Sequence, residues 1–173
     1  MMEVKTVNIL LDYLSVRQLC VNIRKEIVGA SEEEIQILLN PSDYSGWLVD
    51  KYRIKVLLDG KLVGFFYVSP SPSKSPKEVK VLAWAIDPTL PFKQQIEASL
   101  QLLKQAYLDY SAVGTETATG VYWTGVPCKN VIDWLGLPSE VSGAEPITQV
   151  PKMFKITISL SEIGSKLKDL GVL

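Results

Sequence analysis

The chain has 173 residues and a formal net charge of -1, with 47% hydrophobic and 21% charged residues. This length suits one domain, and this apolar content excludes a wholly disordered chain. The balanced charge argues against general nucleic-acid binding, because coating phosphates needs a basic excess. No stretch approaches the roughly 20 apolar residues that span a membrane, and the N-terminus lacks a signal-peptide pattern. We therefore expect a cytoplasmic protein without a membrane span.

Histidine is absent from the chain. Its absence excludes Ser-His-Asp and Cys-His catalysis, histidine-ligated zinc and a histidine general base. The two cysteines, Cys20 and Cys128, are too few for an all-cysteine zinc site, and their apolar neighbours suggest buried thiols. We expect no bound metal, and any proton transfer would use a carboxylate, Tyr, Cys, Lys, water or the backbone.

The N-terminal part predicts a strand followed by two helices. Residues 4–11 are typical of a short strand. Apolar residues then recur at intervals of three and four, which predicts a helix that ends near Gly29. A capping box, in which Ser31 caps and Glu34 reaches back, begins a second, shorter helix. The apolar residues of the first helix are Val16, Leu19, Ile23 and Ile27.

The clearest local signal is a β-hairpin. Strands are predicted over Tyr52 to Leu58 and Lys61 to Ser69, and Asp59-Gly60 between them is typical of a type I′ turn. The Pro/Ser-rich residues 70–77 predict a loop, and the apolar residues 79–86 predict another strand.

The rest of the chain alternates helices and strands, which predicts a layered α/β (α+β) fold. No Walker or Rossmann glycine motif is present. We expect residues 1–160 to form a single domain and the tail, 161–173, to be able to form a weak helix. The predicted segments in between are a long helix with its apolar stripe on Ile96, Leu100, Leu103 and Tyr107, a loop over 111–120, a strand over 121–126, a short helix that follows Pro127 and runs to about Leu135, and a strand over 152–160.

This order of elements resembles the GNAT superfamily of N-acetyltransferases. Three segments carry the resemblance: "DGKLVGFFYVSP" matches the second and third strands, "VKVLAWAIDP" the fourth strand, and "VIDWLGLP" the end of the last conserved helix. The resemblance implies a mixed, mostly antiparallel sheet with splayed central strands and flanking helices. It also implies acetyl-CoA as the cofactor of an active member.

The cofactor loop departs from the pattern of that family, whose glycine-rich loop binds the coenzyme A pyrophosphate at a helix N-terminus. Gln95 and Glu97 replace the two glycines here, and Pro91 lacks an N–H donor. A first-turn carboxylate about 5 Å from a phosphate charge would cost roughly 3 kcal/mol at an effective dielectric of about 20. If coenzyme A binds, the resemblance assigns it Trp84, Ala85, Ile86, Lys93, Gln94, Gln95 and Ile96.

The position of the family's general acid also departs from the pattern. The tyrosine that many members use falls on Ile132, which cannot donate a proton. Tyr122 and Asp133 are nearby candidates for a catalytic role, and Glu78 and Asp87 are candidate bases. Trp84 and Trp123 could instead line an acyl or ligand groove.

The two departures predict a GNAT-like fold that has lost catalysis, binds no cofactor and acts through contacts with a protein partner. The alternative is an active acyl-CoA-dependent N-acetyltransferase that acts on an unidentified amine. The C-terminal half, with its "W-x-G" strand and its "FKITIS" strand, also resembles internal virion proteins of short-tailed phages. That second resemblance implies a virion component. A small α+β binding module outside the superfamily is a third reading.

Overall fold

The computed structural model describes residues 1–26, 52–123, 127–137, 140–141 and 153–173. Helices and strands alternate along these ranges, as the sequence predicts. The strands are β1 (Met2–Thr6), β2 (Tyr52–Leu58), β3 (Lys61–Ser69), β4 (Glu78–Ile86), β5 (Thr117–Trp123), β6 (Glu140–Val141) and β7 (Met153–Ser159). The helices are α1 (Ile9–Glu26), α2 (Phe92–Ser111), α3 (Pro127–Leu135) and α4 (Leu160–Asp169).

The seven strands form one sheet in the order β1-β2-β3-β4-β5-β7-β6. Every neighbouring pair is antiparallel except β4 and β5, which run parallel at the centre. The predicted hairpin is confirmed, since Asp59 and Gly60 have φ angles of 51° and 81°, as a type I′ turn requires. The expected mixed, mostly antiparallel sheet is therefore the observed one.

The core of the sheet depends on close contact between β2, β3 and β4. Val56 and Ile86 are fully buried on the face that α2 covers, as is Leu102 of α2 itself. Gly64 lies between them in β3, where an added Cβ would stand 2.8 Å from Ile86 Cδ1. Only glycine fits there, so the small residue lets the three strands pack closely.

The chain ends in a helix that packs against α2. The Ser159 hydroxyl caps α4 by accepting a hydrogen bond from the Glu162 N–H at 3.2 Å. Leu167 is 1% exposed and belongs to the main core. Gly164 lets the Tyr107 ring approach, since an added Cβ would lie 2.6 Å from its hydroxyl oxygen. The predicted weak helix in the tail is therefore present and partly buried.

Two boundaries predicted from the sequence are wrong. The strand predicted over 4–11 ends at Thr6, and α1 begins at Ile9 because Asn8 Oδ1 accepts the Leu11 N–H at 3.1 Å and so caps the helix. The loop predicted over 111–120 gives way to β5 at Thr117, where main-chain pairing with β4 and β7 imposes an extended backbone on small residues. The second helix, predicted after Ser31, lies outside the described residues, as do residues 124–126.

Candidate functional site

The two central strands, β4 and β5, pair over only four residues each. The pairing runs from Glu78 with Thr117 to Val81 with Gly120, and in the described part of the chain it stops there. At the same point the register between β3 and β4 shifts, which leaves Leu82 as a bulged residue. Because a bulge bends its strand and increases the local twist, it directs the end of β4 away from β5. The sheet therefore has a wedge between these two strands.

The β4 side of this wedge is closely packed. Ala85 is 3% exposed and Ile86 is fully buried. The Trp84 ring meets Phe66 edge-on, with centroids 4.9 Å apart. Its indole N–H is buried and has no acceptor among the described residues. These three residues, which the resemblance assigns to coenzyme A, thus lie beside the wedge, where Trp84 is half-buried and Ala85 and Ile86 are buried.

The turn after β4 is organised by Asp87, which is 2% exposed. Its Oδ1 accepts hydrogen bonds from the Thr89 N–H at 2.9 Å and from the Thr89 hydroxyl at 2.7 Å. Its main-chain carbonyl accepts the Leu90 N–H at 3.3 Å. Pro88 and Pro91 have no N–H at all. Each N–H that the turn from 88 to 91 possesses is therefore already bonded within the turn.

Gln95 closes the same turn from the other side. Its side chain is buried, and its amide nitrogen donates to the Leu90 carbonyl at 2.8 Å and to the Pro88 carbonyl at 3.4 Å. The amide therefore holds the turn against α2. Ile96, the next residue, packs against the main core. Lys93 is exposed and Gln94 is half-buried at the start of the helix.

The first turn of α2 differs from the one that the sequence predicts. The helix begins at Phe92, so Glu97 is its sixth residue, and the first turn holds no acidic side chain. The predicted repulsion between a first-turn carboxylate and a phosphate is therefore wrong, because the helix already begins at Phe92 and Glu97 lies beyond its first turn. The N–H groups of Gln94 and Gln95 both donate to the Pro91 carbonyl. Those of Phe92 and Lys93 have no acceptor among the described residues.

The candidate residues Glu78 and Asp87 lie at opposite ends of β4. Glu78 begins β4 and is exposed, and Trp84 lies six positions further along, which corresponds to roughly 20 Å of strand. Asp133 is exposed on α3, and the main chain of Tyr122 pairs with Phe154 in β7, while its side chain lies outside the description. The Asp87 carboxylate is committed to the turn. An Asp-Pro-Thr sequence is a signal for such a side-chain turn, so the sequence also offers a structural role for Asp87 beside that of a base.

Ile132, to which the resemblance assigns the position of the family's general acid, is fully buried, as is the neighbouring Val131. Both belong to the main core together with Ile86 at the end of β4. Core packing, rather than proton transfer, therefore explains this part of α3.

Solved structures share this fold. The N-acetyltransferase PaiA of Thermoplasma acidophilum, solved with coenzyme A, has a TM-score of 0.62 and 15% identity over 91% of this chain and 99% of its own. A Desulfovibrio desulfuricans protein assigned to the GNAT acetyltransferases gives 0.61 and 12% over 92% and 99%. The ribosomal-protein-S18-alanine N-acetyltransferase of Escherichia coli also gives 0.61 and 12%, over 92% and 94%.

Comparison at the level of sequence finds no match, either to a model of a protein family or to a curated protein. The chain has the fold of the GNAT N-acetyltransferases, and at these identities the likeness concerns the fold alone.

The donors at the wedge do not fit coenzyme A in the way the family loop does. A pyrophosphate needs free N–H groups at close range. The turn offers none, and α2 adds only those of Phe92 and Lys93. Within the described ranges, no group of three or more Cys, Asp and Glu residues could hold a metal ion. No helix in those ranges is both long and apolar enough to cross a membrane.

Proposed function

We propose that this GNAT-fold protein has lost acetyl transfer and acts as a scaffold for protein contacts. The observation that carries the proposal is the turn after β4. Its only two N–H groups, those of Thr89 and Leu90, donate to Asp87. The carboxylate of Asp87 therefore takes one donor that a bound phosphate would need, and its main-chain carbonyl takes the other.

The buried Asp87 carboxylate adds a second obstacle. A phosphate brought to this turn would approach a carboxylate of the same charge in a poorly hydrated place, where like charges repel strongly. Lys61 is the only described cation paired with it, at 3.7 Å between Nζ and Oδ2, and its side chain is 75% exposed. A solvated lysine compensates such repulsion weakly.

The chemistry after binding would also lack its usual acid. Ile132, which the resemblance places at the position of the family's tyrosine, is fully buried, and Glu78 lies at the far end of β4. Positioning alone can accelerate a bimolecular reaction, but it requires that the thioester reach the wedge. The burial of Ala85 and Ile86 opposes that approach.

The test is calorimetric titration of acetyl-CoA into the purified chain, together with an assay for thiol release in the presence of a broad panel of amines. We expect no binding heat and no amine-dependent thiol release. The matched variant is Asp87→Ala with Pro91→Gly, which frees the Thr89 N–H and adds a second donor. If acetyl-CoA binds only to this variant, the result supports the proposal that the natural turn lacks the free N–H donors a phosphate needs.

Two outcomes would contradict the proposal. Micromolar binding of acetyl-CoA by the natural chain would mean that the N–H groups of Phe92 and Lys93 suffice for the phosphates. Release of thiol with any amine would make the protein an acyl-CoA-dependent N-acyltransferase.

The protein-contact part of the proposal is supported by exposed aromatic side chains. Phe92 is 46% exposed at the start of α2, and Trp134 is 47% exposed on α3. Exposed aromatic residues, tryptophan above all, often anchor protein interfaces. With a candidate partner in hand, Phe92→Ala and Trp134→Ala should weaken the complex, whereas substitution of the exposed Lys80 by alanine should not.

A narrower proposal names that partner as a component of a phage particle, with the virion as the location. It is supported only by the sequence resemblance of the C-terminal half to internal virion proteins. Mixing the purified chain with capsid, portal and tail proteins and measuring complex formation by sedimentation tests it. A stable complex supports the proposal, and a chain that stays unbound in every mixture counts against it.

A further inference from the structure

The strand β1 forms one end of the sheet order, so its outer main-chain edge faces no other described strand. Its register with β2 fixes which groups lie on that edge. The Val7 N–H donates to the Arg53 carbonyl, and the Asp59 N–H donates to the Met1 carbonyl. In an antiparallel ladder such bonded positions alternate, so the odd-numbered residues of β1 bond to β2.

The even-numbered residues therefore direct their main-chain groups outward. These are Met2, Val4 and Thr6, which pair with Leu58, Val56 and Ile54 at non-hydrogen-bonded positions. An edge with three adjacent donor and acceptor sets is a template for another strand. The opposite edge of the sheet is formed by β6, which has only two residues.

Charged residues usually protect such an edge from pairing. Here the charges on β1 are complementary to those of a second, antiparallel copy of the same strand. Glu3 and Lys5 are exposed on the same face of β1 and form a salt bridge of 2.8 Å. If two copies pair antiparallel about Val4, Glu3 lies opposite Lys5 of the second copy, and Lys5 lies opposite its Glu3. Opposite charges at directly facing positions stabilise a sheet pair, whereas like charges destabilise it.

We infer that β1 is a self-association edge, at which two copies of this chain join their sheets in an antiparallel pair centred on Val4. The pairing satisfies all the outward groups: Val4 bonds to Val4 of the second copy, and Met2 and Thr6 bond to each other across the pair. The inference goes beyond the proposed function, because it concerns a second copy of the chain and an edge remote from the wedge.

The association should be weak and dependent on concentration. Five residues of strand span only about 17 Å, and the contact is smaller than the roughly 800 Å² per partner of a standard interface. Sedimentation velocity across about a hundredfold range of concentration should therefore show a dimer at the upper end. A chain that remains monomeric throughout this range would overturn the inference.

Charge variants give the decisive test because they change the edge without changing the ladder to β2. Glu3→Lys alone places four lysines together, and Lys5→Glu alone places four glutamates together. Each should reduce the association constant by about tenfold or more. An equimolar mixture of the two should form a heterodimer, because every facing pair is then opposite in charge.

Two controls separate this mechanism from a general effect of charge or folding. Lys80→Glu makes the same charge change as Lys5→Glu on an exposed residue of β4 and should leave the association unchanged. Val4→Pro removes an outward N–H that the ladder does not use, so it should abolish dimerisation. Thermal melts followed by circular dichroism show that each variant is folded.

The inference fails if the charge variants associate as tightly as the natural chain, or if the mixture does not restore the dimer. It also fails if folded Val4→Pro protein dimerises normally.

Discussion

Two aspartates, Asp12 and Asp87, stand near the beginnings of the two long helices and do similar chemistry with different consequences. The Asp12 Oδ2 accepts the Asn8 N–H at 2.6 Å and the Lys55 ammonium at 2.6 Å. The Asp87 Oδ1 accepts the Thr89 N–H, and its Oδ2 lies 3.7 Å from the Lys61 ammonium. Each carboxylate thus accepts a hydrogen bond from a main-chain N–H and lies near a lysine ammonium.

The difference lies in burial and in position along the chain. Asp12 is inside the first turn of α1, and the side chains of Asp12 and Lys55 are 14% and 12% exposed. Asp87 precedes α2 by five residues, and its lysine is solvated. The first carboxylate therefore stabilises a helix start and joins it to the sheet, whereas the second organises the turn between β4 and α2. The same kind of interaction thus supports a helix in one place and a turn in the other.

The largest expected effect is at the buried pair. Asp12→Ala should lower the free energy of unfolding by about 3 kcal/mol, because it leaves the Lys55 charge buried without its carboxylate and removes a helix cap. Urea denaturation measures this loss. The double variant Asp12→Ala with Lys55→Met should recover part of it, since neither charge remains. A loss below about 1 kcal/mol for the single variant would mean that the pair is effectively solvated.

The turn should be the next most sensitive place. Asp87→Ala leaves the Thr89 N–H and hydroxyl without their acceptor, which should cost about 2 kcal/mol in the same denaturation experiment. Asp87→Asn keeps the Oδ1 acceptor and should lose less than half as much. Equal losses in the two variants would attribute the effect to the missing charge instead of the hydrogen bonds.

Within the turn, the hydrogen bond from the Thr89 hydroxyl to Asp87 should contribute less to the free energy of unfolding than the two Thr89 hydrogen bonds together. Thr89→Val keeps the side-chain shape and the N–H bond to Asp87 but removes the hydroxyl donor, so we expect a loss of about 1 kcal/mol. Thr89→Ser retains the hydroxyl and is the matched control. If valine were neutral, the main-chain bond alone would hold the turn.

The smallest effect should come from the exposed lysine. Lys61→Met should change the free energy of unfolding by less than about 0.5 kcal/mol, because the ammonium is solvated and lies 3.7 Å from Asp87. Lys55→Met is the sharp comparison and should cost clearly more. If the two lysine variants lose similar free energies of unfolding, the ion pairs of Asp12 and Asp87 contribute equally and the distinction between the two aspartates is wrong.

Local signals were sufficient for much of the fold. The hairpin of β2 and β3 follows from Asp59-Gly60 between two apolar strands, and its predicted bounds are confirmed. The short helix predicted after Pro127 is also found and ends at Leu135 as expected, but it includes the proline as its first residue. β5 could not be predicted correctly, because its small residues are extended only through pairing with strands that are distant in the sequence.

The candidate site was less predictable than the fold. The sequence indicates the missing glycines and the missing tyrosine, but it assigns Glu97 to the first turn of α2, where the structure has no acidic residue. The role of Asp87 depends on where the helix begins and on which N–H groups the turn exposes. Both depend on main-chain hydrogen bonds that a residue pattern does not specify.

Periodicity, turn residues and composition act locally or over the whole chain, so the sequence alone predicts the layered α/β class, the hairpin and the absence of histidine chemistry. Three other properties are visible only in the folded chain: the described pairing of β4 with β5 stops after Val81, Asp87 accepts the N–H donors of the turn, and Glu3 and Lys5 lie on an edge that faces no other described strand. These properties arise when distant segments set each other's register and burial. For that reason they cannot be derived from any one segment.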